Sequence, residues 1–102
     1  MPNYRLTPDA QLDLIDIRRF TVTHWGKTQS QKYLSELQQT IRLLAETPSL
    51  GKPRPDIGAS VQSFPCASHV IYYISHNNQL IVFGALHKRM VPLNHLEARE
   101  VV

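Results

Sequence analysis

The chain has 102 residues, 42% of them hydrophobic and 19% charged, which suits one globular domain (residues 1–102) with one modest core. Its net charge of +3 favours an acidic partner but falls short of the dense basic stripe of a DNA-coating protein. The longest apolar runs stay far below the ~18 residues of a membrane span, and a lone cysteine, Cys66, excludes an internal disulfide or a multi-cysteine metal site.

Residues 1–5 lack the basic-then-apolar pattern of a signal peptide, so a cytoplasmic location is expected. Residues 4–6 read as a short edge strand. Thr7 is a suitable N-cap, Pro8 fits the first helical position, and Asp9 complements the helix dipole. They predict a first helix over residues 8–24. Its apolar residues, Leu12 to Trp25, spread over more than one face and predict cover on two sides. Gly26 is the stop. Thr28 and Gln31 have capping-box spacing and open a second helix, with Leu34, Leu37, Ile41 and Leu44 along its apolar face. Pro48 ends it. The two helices should form an antiparallel hairpin.

Residues 49–58, punctuated by proline and glycine, read as a loop carrying Lys52 and Arg54. Residues 61–64 alternate as a strand. Two apolar runs follow, residues 69–74 and 80–86, rich in Val, Ile, Tyr and Phe. The break between them carries Asn77 and Asn78, which tolerate the positive φ of a tight turn. That pair of strands is the scaffold. Pro92 opens a short final helix anchored by Leu93 and Leu96. The order gives an α+β fold, a short strand and a helical hairpin packed on one face of a small twisted antiparallel sheet.

The five histidines show no metal-site spacing, so neither metal nor other cofactor is expected. Cys66 has no activating neighbour in sequence and reads as an inert thiol; His76 has no assigned role. His69 opens the first hairpin strand while His87, Lys88 and Arg89 end the second, so an antiparallel hairpin makes them neighbours. His95 could fold back to the same end. Two imidazoles and two cations could there activate a 2′-hydroxyl and stabilise a phosphorane. The same spacing also suits a packing histidine beside solvated cations.

Several stretches, in this order and over nearly the whole chain, resemble one family. They are Leu6-Thr7-Pro8-Asp9-Ala10, His24-Trp25-Gly26 with Gln31, Tyr33 and Leu37, and Pro48-Ser49-Leu50-Gly51 with Arg54, Asp56 and Ile57. Ser68-His69-Val70-Ile71-Tyr72-Tyr73, Leu86-His87-Lys88-Arg89-Met90 and His95-Leu96 complete the set. The chain is similar to the ParE-type toxins of the RelE/ParE toxin–antitoxin superfamily. It departs at Val91, where such sequences often carry Asp, and this puts the capping of the last helix in question.

The resemblance implies the fold just derived and a ParD-type antitoxin whose flexible segment wraps the toxin, lying on the helices and along a sheet edge. It implies poisoning of DNA gyrase without catalysis. No membrane association and no sequence-specific DNA binding by the toxin alone are expected. The target contacts expected are His87, Lys88, Arg89 and His95 with Lys52 and Arg54. The alternative is RelE-like cleavage of messenger RNA on the ribosome by His69, Arg89 and His95; a third reading is an inactive interaction module. Residues 61–86 hold no Lys or Arg, which counts against a phosphate backbone held on the sheet.

Overall fold

The computed structural model describes residues 3–101. After β1 (Asn3–Leu6), Thr7 turns the chain from strand to helix. Its Oγ1 accepts the Ala10 amide at 3.2 Å, and α1 (Pro8–Trp25) begins where these capping preferences predict. Gly26 ends α1 with φ 88°, a value strained for any residue with a Cβ, and its amide bonds Val22 O at 3.0 Å. Gly26 is also the N-cap of α2 (Lys27–Glu46). The predicted capping box therefore does not form, because Thr28 already lies inside the first turn. A single residue joins the antiparallel helices, and a 2.6 Å bond between Thr21 and Ser30 hydroxyls pins their buried seam.

Expected cover on two sides of α1 is not found. Only Ala10, Ile17 and Thr21 are buried, whereas Leu12, Ile15 and Phe20 stay exposed. One stripe of the helix faces the sheet, and among the described residues no further layer lies beyond it.

The sheet has the order β1-β5-β4-β3-β2, with β2 (Lys52–Pro53), β3 (Gln62–Cys66), β4 (His69–His76) and β5 (Gln79–His87). Neighbours among β2 to β5 are antiparallel, but β1 runs parallel to β5, so the sheet is mixed. A leading strand with a long connection is not held antiparallel by a tight turn. Two residues of the predicted loop form β2, where a proline is tolerated because the strand is an edge. Cys66 ends β3 opposite His69, and Ala67 makes the tight turn at φ 53°. Asn77 and Asn78 turn the main hairpin at φ 51° and 60°, as their composition predicts.

Both helices cover one face, packing Leu37, Ile41 and Leu44 against Ile71, Tyr73 and Val82. On the other face, Tyr72, Phe83 and Leu86 pack with Val61 and with Leu96 of α3 (Pro92–Leu96). Leu93 is no anchor: α3 is little more than one turn, and Leu93 stays exposed while Leu96 is buried. Val91 is its N-cap and makes no side-chain capping bond. Among the described residues no helix is long and apolar enough to cross a membrane.

Candidate functional site

The antiparallel register places His69 directly opposite His87, with ring centroids 5.4 Å apart and edge to face. His69 is only 8% exposed. The Tyr33 hydroxyl of α2 lies 2.6 Å from its Nδ1 and also accepts the Ser68 amide at 3.1 Å. We assign the hydroxyl proton to the bond with Nδ1 and the His69 ring hydrogen to Nε2. Burial, helped by the neighbouring His87, pushes the His69 imidazole down from 6.5 to about 4. It is a neutral imidazole at physiological pH. Burial also raises the Tyr33 phenol, which keeps its proton as a donor. His87 Nδ1 accepts the Arg89 amide at 3.2 Å, which braces the turn after β5.

A groove of about 660 Å³ opens between α1, the end of β5 and the tail. His69, His87 and His95 line it with Phe20, Met90, Asp13 and Arg99. The predicted gathering of imidazoles at this end of the sheet is therefore present. Lys88 and Arg89 are exposed in the adjoining turn and do not line the groove. Lys52 and Arg54 lie apart, at the opposite edge of the sheet. Arg54 pairs with Asp56 through two 3.0 Å bonds, and its guanidinium lies 5.7 Å from the Tyr72 ring centre. Cys66 Sγ sits 3.4 Å from the Thr40 hydroxyl, and His76 ends β4 exposed at the hairpin. Among the described residues no group of three His, Cys, Asp or Glu side chains is placed to hold a metal ion.

Sequence reasoning missed Asp13 and Arg99. Arg99 Nη1 and Nη2 donate to the two carboxylate oxygens of Asp13 at 2.6 and 3.0 Å, and the pair is largely buried. The Asp13 carboxylate raises the Arg99 guanidinium still further above its ordinary range. The two residues are 86 positions apart; the one local signal is a carboxylate set between Leu12 and Leu14.

A second groove, about 290 Å³, lies on the other side of α1, between α1, α2 and β1. Tyr4, Leu6, Leu14, Leu34 and Ile41 make it apolar, and Arg18 stands at its wall. Past Arg18, Leu34 and Gln38 it continues along the helical seam to Lys27. No Asp or Glu lines either stretch.

The profile of a family described as ParE toxin of type II toxin–antitoxin system, parDE, matches residues 4–92. The chain belongs to the ParE toxin family. It is 34% identical over 96 residues to Toxin ParE1 of Caulobacter vibrioides, covering 94% of this chain and 99% of that one. To Toxin ParE1 of Mycobacterium tuberculosis it is 33% identical, over 85% of this chain and 90% of that one. A solved structure titled "Chromosomal ParDE TA system from P. aeruginosa" superposes with a TM-score of 0.74 at 16% identity, covering 85% of this chain and 96% of that one. That likeness is one of fold. The ParE assignment thus agrees with the helical hairpin, the sheet and the tail that the family's motifs imply.

Proposed function

We propose that this ParE toxin inhibits DNA gyrase by binding it, without catalysis, and that a ParD-type antitoxin neutralises it. The observation that carries the first part is the state of the groove's charges. His69 is a buried neutral ring held by Tyr33, and the Arg99 fork is spent on Asp13 and a backbone carbonyl. A nuclease site needs a cation free to meet the developing charge on phosphorus. Arg99, the only Lys or Arg among the groove's lining residues, is already paired. Such a surface suits contact with a protein target, with Lys88 and Arg89 exposed beside it and His87 and His95 within it. Lys52 and Arg54 stand at the opposite edge of the sheet from these residues, and we assign the main target contact to the tail side.

The second part rests on the α1–α2 groove. Its lining is apolar with Arg18 and Lys27 and without carboxylates, and β1 beside it is an edge strand. An amphipathic, acidic segment that orders on binding suits it, and could add a strand along β1. Cleavage of messenger RNA keeps one supporting observation, the convergence of His69, His87 and His95.

A supercoiling assay with purified gyrase and ATP tests the reading. The expected result is lost supercoiling with accumulation of cleaved DNA, reversed by the antitoxin. Gyrase unaffected at large excess of the protein, with cleavage of mRNA on programmed ribosomes sensitive to His69 and Arg89, would select the nuclease instead.

A further inference from the structure

The outer edge of β5 has two occupants. β1 pairs with it through Val82, and the Thr7 amide closes that ladder on Val82 O at 2.9 Å. There the chain departs into α1. Beyond, the Phe83 carbonyl and Ala85 amide would form an open strand edge. Arg99 Nη1 donates to Phe83 O at 3.0 Å, and the Ala85 amide donates to Asp13 Oδ2 at 3.0 Å. The ion pair therefore replaces the missing strand, at the point where the β4–β5 register shifts. Its side chains are only 15% and 12% exposed.

The tail is held from the opposite face as well. A Cβ on Gly84 would come within 2.7 Å of Leu96 Cδ2, so the absent side chain is the seat of Leu96. From that seat the chain continues to Arg99, which reaches round the sheet edge to α1. The segment between the end of β5 and Arg99 carries Met90 and His95, one wall of the histidine groove. A helix of barely one turn does not hold such a wall by itself.

We propose that the Asp13–Arg99 pair is a strap that fixes the tail and so assembles the histidine groove, making Arg99 a positioning residue for target recognition. This rests on the reading that groove and tail meet the target. The arginine fork is required because it spans both carboxylate oxygens and still reaches a carbonyl. A lysine ammonium carries its three donors on one nitrogen and does not reproduce this two-nitrogen, bidentate geometry. The strap lies on the far side of α1 from the apolar α1–α2 groove, so its release leaves antitoxin docking intact.

The test compares wild type with Arg99→Ala and Arg99→Lys by amide hydrogen exchange, histidine NMR, antitoxin affinity and gyrase supercoiling. For Arg99→Ala the expected result is tail exchange about tenfold faster and shifted His95 resonances. Inhibition of gyrase should weaken about tenfold while antitoxin affinity holds; Arg99→Lys should fall between. Tail exchange and His95 signals identical to wild type would overturn the strap. So would a released tail that inhibits gyrase undiminished. If wild type itself leaves gyrase unaffected, the target reading fails, and exchange and NMR still decide the strap. Should Arg99→Ala not fold, Asp13→Asn removes the charge yet keeps an acceptor for the Ala85 amide.

Discussion

His69 shows how one buried ring couples packing to proton binding. In the unfolded chain it titrates near 6.5, and in the fold near 4, so between those values the unfolded state binds the extra proton. Stability contributed by the neutral ring is therefore complete above about pH 6.5 and lost as pH falls towards 4. A shift of this size is worth on the order of 3 kcal/mol. Urea unfolding followed from pH 7.5 to 4 should show that loss. His69→Asn keeps an acceptor for the Tyr33 hydroxyl without a titrating ring, and its curve should be flatter by this amount. Parallel curves would mean that the ring is not held neutral. Tyr33 belongs to the same unit: its hydroxyl serves both His69 Nδ1 and the Ser68 amide, so Tyr33→Phe leaves a buried ring nitrogen and a partly buried amide short of a partner. A cost of about 1–3 kcal/mol is expected in the same denaturation measurement.

Among the elements, β5 does the most. It receives β1 on one edge and β4 on the other, carries core residues on both faces, and ends in the groove. Gly84 marks where the tail docks onto it. Gly84→Ala would set a methyl against Leu96 and the Arg99 fork. Leu96 is buried and has little room to yield, so a loss of about 1–3 kcal/mol is expected. It should appear as faster exchange of tail amides before any loss at the α1–α2 seam. Uniform loss across both regions would show that Gly84 supports the whole sheet rather than the tail.

For the molecule as a whole, α1 is a wall shared by two grooves of different character. Leu14, Ile15 and Arg18 face the apolar one; Asp16, Ile17 and Phe20 face the histidine one. Exposed apolar residues on both sides explain why α1 reads from its sequence as a helix covered twice. If the grooves serve antitoxin and target as proposed, their variants should separate. Arg18→Glu is expected to weaken binding of an acidic antitoxin about tenfold or more while sparing gyrase inhibition. Neutralising Lys88 and Arg89 together should do the reverse. Binding measured by calorimetry and inhibition by supercoiling would reveal the split; parallel loss of both activities in either variant would argue for a single shared surface.

Local chemistry by itself determines much of this protein. Thr7-Pro8-Asp9 starts α1, Gly26 stops it, Asn77-Asn78 turns the hairpin, and Pro48 ends α2, because each choice depends on a few adjacent dihedrals and bonds. The meeting of His69 with His87 was legible for the same reason, since a tight hairpin dictates its own register. Tertiary structure alone decided what depends on residues far apart. It set β1 parallel to β5, made an edge strand of Lys52–Pro53, separated Lys52 and Arg54 from the tail cations, and left one side of α1 bare. It also brought Arg99 to Asp13, where an unfinished strand edge offers one carbonyl and one amide to be satisfied. No spacing in the chain encodes that pair, since its geometry exists only once the sheet has closed and the tail has come round its edge.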